Sequence, residues 1–421
     1  MKKIIVIIEY LFIAYIIIEC NSVFSCALNN YYITEVGSFI ALILAIAGAK
    51  FYNRRIKKKT IQFIFVHIIY CTIFILLCVN TSHLYGFASR FLIFFPVLLV
   101  ICDTYYKNDN IKSLLKRFVD IATVLSAISL FFWLFGSILG TIKPTGTLVA
   151  RWGTDYPYTS YYNLYFVRQY RRIFGISFVR NSGIYTEAPM FSLILCIALV
   201  FKLFLLTQKT DSKRGRKKYI PEIILTLGII STISTAGYIV LAISILMLYY
   251  LKSTRSRRAK LIHLFIGFII SFAFIFAVNN LIVEKLESSE GGVRLDDFIA
   301  GINTWIEKPF IGHGYGNNES LIQNMNALRL YNTGMSNSIF TVLAQGGLYL
   351  LIFYLLPVYA LFIRCLRQKK MRIICAISLF VVEFVITIFP YKFIMFFLLA
   401  TMYALILNKQ KNGKLISRKR N

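Results

Sequence analysis

The sequence has few charged residues, and few acidic ones in particular. Only 15% of its 421 residues are charged, whereas soluble proteins carry roughly 25%. No polar stretch is long enough to form a second, soluble domain. Instead, 58% of the residues are hydrophobic, and apolar runs recur that are too long and too frequent for soluble core helices. The sequence therefore predicts a single polytopic membrane domain over residues 1–421.

Several motifs of known sites are also missing. The eight cysteines form no C-x-x-C pair, and most lie inside apolar runs, as small core residues do. No dense cluster of His, Cys and Asp predicts a metal site. No glycine-rich turn is followed by the Gly-Lys-Ser/Thr of a nucleotide loop. We therefore predict neither a metal nor a cofactor.

The apolar runs predict an all-α integral membrane protein with about twelve transmembrane helices. We assign these to residues 4–20, 35–52, 61–80, 88–106, 118–140, 188–207, 220–236, 237–251, 261–280, 338–363, 373–389 and 392–408. Only Ala236-Gly237 separates the seventh from the eighth, so these two could be one broken or re-entrant segment.

The basic residues predict the orientation of these helices. There are 47 Lys and Arg against 18 Asp and Glu, and the net charge is +29. If the N-terminus is cytoplasmic, the short cytoplasmic segments carry 35 of the 47 cations. This is the positive-inside pattern, and it argues against nucleic acid as the reason for the charge. We predict a multi-pass protein with both termini in the cytoplasm.

Two external loops, at about 141–187 and 281–337, are much longer than the others. The first contains many tyrosines and the arginines Arg151, Arg168, Arg171, Arg172 and Arg180. An aromatic belt at the membrane interface explains the tyrosines as well as sugar stacking does. External loops are usually poor in cations, however, and arginine forks bind phosphate. The arginines therefore indicate an anionic ligand.

Glu187 ends the first loop, just before Pro189 at the mouth of the sixth predicted span. A carboxylate at this point could cap the helix. Close to arginines, it could also act as an acid, a base or a charge organiser.

The second loop combines a predicted helix with a glycine-rich turn. Apolar residues at 295, 298, 299, 302, 305 and 306 have the spacing of an amphipathic helix, and Pro309 ends it. Gly312, Gly314 and Gly316 follow. Alternating glycines let the backbone approach a ligand closely, although such a segment could also be only a turn. His313, between them, could be a general base or a solvated bystander.

Two carboxylates, Glu9 and Glu383, lie deepest in the predicted spans. Carboxylates at such depth are usually functional, so they could couple ions in a transporter. They could also sit in a polar cavity, or be protonated and bonded to a neighbour. The segment 231–237 is rich in Ser, Thr and Gly, which helix packing explains.

Three ordered motifs resemble the O-antigen polymerase and ligase superfamily, the Wzy-type proteins. Arg180-x-x-Gly183-x-x-x-Glu187-x-Pro189 resembles the family's R-x-x-G-x-x-x-E-P element, with Ala188 inserted before the proline. The Ser/Thr–Gly segment 231–237 is the second motif. The third, similar to the family's Arg, proline and G-x-G-x-G, consists of Arg294, Pro309, Gly312, Gly314 and Gly316.

Further family features follow the glycines. Ser336-Asn337 and Gly346-Gly347-Leu348 stand where many members have His-Asn and then Gly-Gly. Ser336 replaces a histidine that is thought to assist catalysis in ligase-type members. This departure favours a polymerase and leaves the catalytic base unassigned. The resemblance covers about residues 180–350.

The resemblance implies a GT-C-like polytopic transferase in the bacterial cytoplasmic (inner) membrane. Its implied activity is polymerisation of undecaprenyl-diphosphate-linked oligosaccharide repeat units into O-antigen, capsule or exopolysaccharide. A ligase-type transferase, and a multi-pass transporter or flippase of lipid-linked glycan, are the alternatives. Lipid-linked oligosaccharides and membrane lipids would be its partners, together with a chain-length regulator and a flippase.

The resemblance and the residues together suggest roles for the site residues. Arg180 and Arg294 would clamp the diphosphate, while Glu187 would orient an arginine or accept a proton. His313 is a candidate base. The substrate-binding residues would be Arg168, Arg171, Arg172, Gly312, Gly314, Gly316 and Asn337.

Overall fold

The computed structural model describes residues 2–27, 30–51, 56–78, 83–107, 110–152, 154–173, 176–206, 219–252, 289–327, 329 and 333–408. Most of these residues are helical. The predicted span at 261–280 lies outside the described residues. We call the side predicted to be external the outer side.

Within the part of the chain that the structure describes, seven helices precede the first external loop. They are α1 (Lys2–Glu19), α2 (Val23–Ala27), α3 (Asn30–Phe51), α4 (Lys58–Leu77), α5 (Leu84–Phe87), α6 (Phe95–Lys107) and α7 (Ile111–Phe132). A π-helical turn, Ala88–Phe94, joins α5 to α6, and another, Trp133–Ile138, extends α7.

In the described residues after the first external loop there are eight more helices. They are α8 (Ala188–Val200), extended by a π-helical turn at Phe201–Leu206, α9 (Ile220–Ser231), α10 (Thr235–Lys252), α11 (Ser289–Glu307), α12 (Glu319–Gln323), α13 (Ser338–Arg367), α14 (Met371–Ile386) and α15 (Phe393–Leu407). The amphipathic helix predicted before Pro309 is therefore present as α11.

Length and composition support a membrane protein. Within the described part of the chain, five helices are long and apolar enough to cross a membrane: Lys58–Leu77, Leu84–Tyr106, Ile111–Ile138, Ala188–Leu206 and Ser338–Arg367. Three further apolar helices are shorter: Ile220–Ser231, Thr235–Leu251 and Phe393–Leu407. The total of twelve spans stays a prediction.

Aromatic side chains fill the core between α6, α13 and α15. The ring of Phe91 lies 4.9 Å from that of Phe396, and the ring of Phe95 lies 4.9 Å from that of Phe353. α15 is buried on nearly all sides, as expected of a helix that is apolar all round. These contacts place α15 inside the described bundle rather than at its edge.

The prediction of an all-α chain is wrong in the first external loop. This loop forms a three-stranded antiparallel sheet of β1 (Gly146–Trp152), β2 (Thr154–Tyr161) and β3 (Tyr165–Val167). A second antiparallel pair consists of β4 (Tyr170–Ile173) and β5 (Ile176–Val179). The loop is rich in Thr and Tyr, which favour strands because they pack well on a pleated surface.

Some of the loop's tyrosines anchor the larger sheet to the helices. Tyr158 packs with Val23 and Cys26 at α2, while Tyr161 and Tyr165 pack against Phe132 at the end of α7. Tyr185 is buried as well, whereas Tyr156, Tyr162 and Tyr170 are 45%, 63% and 63% exposed. The tyrosines therefore form neither a uniform interfacial belt nor a uniform surface for sugar stacking. The buried ones fix the sheet over the outer ends of the helices.

Candidate functional site

Two arginines of the first loop converge on the break between α9 and α10. Arg171 Nη1 donates to the carbonyl of Ile233 at 2.9 Å, and Arg180 Nε donates to the carbonyl of Thr232 at 3.0 Å. Ile233 has a left-handed backbone, with φ of 49°, which ends the helix and turns these carbonyls outward. Carbonyls at a helix C-terminus carry partial negative charge, so they attract and orient both guanidinium groups.

The phenol of Tyr238 lies close to the same two arginines. The charges of both Arg171 and Arg180 act on it, and its hydroxyl donates to the carbonyl of Ile230 at 2.9 Å. A guanidinium carries five N–H donors, and the bonds to these carbonyls orient both arginines. The Ser/Thr–Gly segment thus does more than pack helices, because its carbonyls hold the arginines in place.

Arg168 lies between two tyrosine rings on the neighbouring sheet. Its guanidinium carbon is 4.0 Å from the centre of the Tyr156 ring and 5.2 Å from that of Tyr158. Its Nη1 also donates to the Tyr158 hydroxyl at 2.6 Å. Burial raises the pKa of Tyr158, and Arg168 opposes the rise. The charge of Glu187 acts on this phenol as well, so Arg168 and Glu187 belong to one neighbourhood.

Glu187 stands at the N-cap position of α8, but its side chain makes no capping hydrogen bond. The Ala188 amide donates instead to Oε1 of Gln169 at 3.0 Å. The carbonyl of Gln169 accepts from the Arg180 amide at 2.9 Å. Gln169 thus connects Arg180 to the start of α8, and it takes over the capping role that Glu187 could have had. Sequence reasoning gave Gln169 no role.

The residues between Arg180 and Glu187 are buried and fixed. Asn181 is fully buried, and its Nδ2 donates to Ser129 Oγ at 3.2 Å and to Ser231 Oγ at 2.9 Å. Gly183 has φ of 57°, and a Cβ there would lie 3.1 Å from the Phe191 ring. This rigidity sets the spacing between the arginine and the carboxylate.

The remaining arginines of the loop differ in their surroundings. The backbone of Arg172 pairs with Ser177 in the second sheet, and its side chain lies outside the described residues. Arg151 is exposed and forms a surface ion pair with Asp155 at 3.2 Å.

We call Arg168, Arg171, Arg180 and Glu187 the arginine patch.

The predicted glycine motif lies against a break in α13. At Gly347 the backbone leaves the helical conformation, with φ of 57° and ψ of −162°. The amides of 313–314 donate to the carbonyls of 344–345, and the amides of 348–349 donate to the carbonyls of 309–310, all at 2.9 Å. The turn after α11 therefore satisfies backbone groups that the broken helix leaves unpaired.

The glycines allow this close contact between two backbones. A Cβ on Gly312 would lie 2.5 Å from the backbone of Gln345, and one on Gly347 would lie 2.4 Å from the Phe310 carbonyl carbon. The amide of Gly316 donates to Oε1 of Gln345 at 3.1 Å. Gly314 has φ of 105°. Close packing of the two backbones thus explains the glycines of the motif. Contact of Gly312, Gly314 and Gly316 with substrate stays a prediction.

His313 is held against α11 rather than in open solvent. Its Nε2 lies 3.0 Å from the carbonyl of Thr304 and 3.3 Å from Glu307 Oε2, and its side chain is 12% exposed. Arg294 lies partly buried on the same helix, about one turn before Asp297. The structure thus places both residues on or beside α11.

Asn337 begins α13 as its N-cap. Its Oδ1 accepts from the Phe340 amide at 3.0 Å, which is the usual capping bond. The side chain is almost fully buried, and in the described part of the chain its Nδ2 has no hydrogen-bond partner. The predicted role of Asn337 in binding sugar or phosphate would therefore fall to Nδ2.

Sequence reasoning missed two cations that organise the second loop. Arg329 is buried between Asp296 Oδ2 at 3.1 Å and Asp297 Oδ1 at 2.6 Å. Arg90 donates to the carbonyl of Tyr391 at 2.9 Å and also hydrogen-bonds Tyr315 of the glycine motif. Their partners are far away in sequence, so only the surplus of external cations pointed to them.

The two deep carboxylates have protein neighbours. Glu9 Oε2 lies 3.2 Å from Arg117 Nε, and Glu383 Oε2 accepts from Thr387 Oγ1 at 3.0 Å. Across the residues the structure describes, no group of three or more His, Cys, Asp and Glu could hold a metal ion.

Residues 222–355 match the protein-family model Wzy_C, described as O-Antigen ligase. The resemblance to the O-antigen polymerase and ligase superfamily is confirmed. The comparison with curated proteins finds no match. The Wzy_C match supports a ligase- or polymerase-type, glycosyl-transferring role in surface-polysaccharide synthesis, in a family of bacterial membrane enzymes.

The matched residues contain the turn after α11 and the broken helix α13, but only part of the surroundings of the arginine patch. They include the α9–α10 break, Arg294, the glycine motif and Asn337. Arg168, Arg171, Arg180 and Glu187 precede the matched range. Their link to the family therefore depends on the motif at 180–189 and on the bonds that tie Arg171 and Arg180 to the α9–α10 break.

Proposed function

We propose that the protein is a polysaccharide polymerase that uses undecaprenyl-diphosphate-linked repeat units at the outer face of the bacterial cytoplasmic membrane. The observation that carries the proposal is the convergence of Arg171 and Arg180 on the α9–α10 break, with Arg168 and Glu187 beside them. A cationic cluster at the ends of apolar helices suits an anionic headgroup on a lipid. The family match supports glycosyl transfer as the reaction.

The proposed chemistry requires positive charge at the leaving group. The acceptor hydroxyl oxygen attacks the anomeric carbon of the donor glycan, and the bond from that carbon to the diphosphate oxygen breaks. Undecaprenyl diphosphate leaves with the electron pair. Arg180 and Arg294 would stabilise this charge, because oriented donors are most effective where charge develops. Arg168, Arg171 and Arg172 would bind the remaining phosphate oxygens.

The hydroxyl proton needs an acceptor. Glu187 is the stronger candidate, because it belongs to the arginine patch and its side chain makes no capping hydrogen bond. His313 would be the weaker one, because its Nε2 already faces Thr304 and Glu307. In this proposal Asn337 Nδ2 contacts sugar or phosphate, while Gly312, Gly314 and Gly316 shape the turn.

Ser336 favours polymerisation over ligation, because ligase-type members of the superfamily have a histidine at the corresponding point. Transport is less well supported. Glu9 is paired with Arg117, which suits a structural ion pair better than an ion-coupling site. We propose further that a flippase supplies the substrate and that a chain-length regulator acts on the product.

The size distribution of surface polysaccharide tests the proposal. Gels would compare a deletion strain with strains complemented by wild type, Arg180→Ala, Arg294→Ala or the control Arg151→Ala. We expect ladders with wild type and the exposed Arg151 control, and single repeat units in the deletion strain and the other two variants. A deletion strain with intact but unattached polymer would indicate a ligase. Unchanged ladders in the deletion strain would overturn the polymerase and favour transport.

A further inference from the structure

α11 carries an apolar stripe that points away from the rest of the protein. Leu295, Ile299, Ile302 and Ile306 are 59%, 48%, 36% and 63% exposed. With about 3.6 residues per turn, these positions share one face of the helix. The stripe is too long and too regular to be a set of scattered surface residues.

The opposite face of α11 is the one that packs. Asp297, Ala300 and Thr304 are fully buried, and a Cβ on Gly301 would lie 2.5 Å from Phe340 of α13. The Phe298 ring also meets the Phe340 ring, with centres 5.5 Å apart. The exposed stripe therefore does not contribute to the described core.

The stripe continues onto a membrane-length helix. Phe310, just after α11, is 72% exposed, and its carbonyl accepts from the Tyr349 amide of α13 at 2.9 Å. From there, α13 has its own exposed apolar row, which consists of Leu348, Ile352, Leu356 and Tyr359. Because α13 is long and apolar enough to span a membrane, this row suits lipid. Phe310 thus lies between the two rows, and the backbone bonds at 309–310 hold the end of the α11 stripe next to the start of the α13 row.

Polar residues border the stripe on one side. Asn303 and Glu307 of α11 are exposed, as is Lys308, which follows the helix. An apolar stripe with a polar border is typical of a helix that lies in a membrane interface.

We propose that α11 lies in the plane of the outer leaflet, with its apolar stripe and Phe310 among the headgroups and upper acyl chains of phospholipids. The continuity at Phe310 favours the bilayer over a second copy of the chain, because the lipid that covers α13 extends over α11 without a break. The contact does not depend on the proposed function.

Fluorescence quenching tests this proposal in the full-length protein. Ile306→Cys would be labelled with an environment-sensitive maleimide dye and reconstituted in phosphatidylglycerol–phosphatidylethanolamine vesicles. Gln323→Cys is the matched control, since Gln323 is exposed on α12, which contacts the packed face of α11 through Thr304 and Ser320. Unsubstituted protein gives the labelling background, because the native cysteines are buried except for Cys78, which is partly buried.

We expect nitroxide-bearing lipids to quench the dye at Ile306→Cys at least about twofold more than the dye at Gln323→Cys. Aqueous iodide should show the opposite order. Equal iodide quenching at both positions would overturn the proposal. Shielding of Ile306→Cys from both quenchers, increasing with the protein-to-lipid ratio, would overturn it as well, in favour of contact between copies.

Discussion

Gly312 and Gly140 have nearly the same left-handed backbone but different surroundings. Their φ angles are 75° and 66°. An added Cβ would lie 2.5 Å from the α13 backbone at Gly312 and would meet nothing within 4 Å at Gly140. The pair therefore separates the cost of the backbone conformation from the cost of a collision.

Gly140→Ala should lower stability by about 1–2 kcal/mol, the cost of a left-handed alanine. Gly312→Ala should lower it by clearly more, because the turn must also move away from the break in α13. Thermal unfolding of the two variants in the same detergent measures the difference. Equal losses would show that the turn does not pack on α13 in this way.

Single residues of the site differ in how far the sequence revealed them. Arg180 and Glu187 were evident from an anionic-ligand argument and a family motif. Gln169, by contrast, gave no signal, because its importance depends on two backbone amides, those of Ala188 and Arg180, that only the folded chain brings to it. Arg329 gave little signal in the sequence, because its partners Asp296 and Asp297 precede it by more than thirty residues.

At the level of elements, the Arg329 ion pairs connect α11 to the segment before α13. Arg329 binds Asp296 and Asp297, and its Nη2 donates to the carbonyl of Gly334 at 3.0 Å. Removing one partner of a buried pair typically costs about 3–5 kcal/mol. Arg329→Ala should therefore destabilise the protein by roughly that amount, whereas the exposed Arg151→Ala should have little effect.

The loss in Arg329→Ala should also depend on pH. Burial raises the pKa of Asp297, and Ser336 and Arg329 oppose the rise. A carboxyl group whose pKa is higher in the folded than in the unfolded chain stabilises the fold at pH values below its unfolded-state pKa. This stabilisation is lost as the pH rises through its folded-state pKa. Without Arg329 the folded pKa rises further. Thermal unfolding should then show a smaller loss at about pH 5 than at about pH 8, and a loss independent of pH would contradict this account.

Helices were easier to predict than strands in this chain. The 3.6-residue period identified α11 and its end near Pro309, because an apolar stripe leaves a clear pattern. The strands of the first loop were missed, since its tyrosines were read as interface or sugar-binding residues rather than as residues that favour strands. The break in α13 was also missed, because its backbone partners at 309–310 are remote in sequence.

At the scale of the whole molecule, apolar helices support two neighbourhoods of different make-up. One is the arginine patch, formed by the small sheets, the start of α8 and the α9–α10 break. The other is the turn after α11, which closes the break in α13. Composition predicted a membrane protein with external loops, but it could not predict that carbonyls at a helix break would hold the arginines.

The most direct test of this account is synthesis by the purified protein. The protein in vesicles would receive undecaprenyl-diphosphate-linked repeat units, and product length and released undecaprenyl diphosphate would be measured together. Wild type and Arg151→Ala should make chains of several units, and Arg180→Ala should be slower by about 100-fold or more. If folded wild type made no glycan longer than one unit and released no undecaprenyl diphosphate, the polymerase assignment would be wrong.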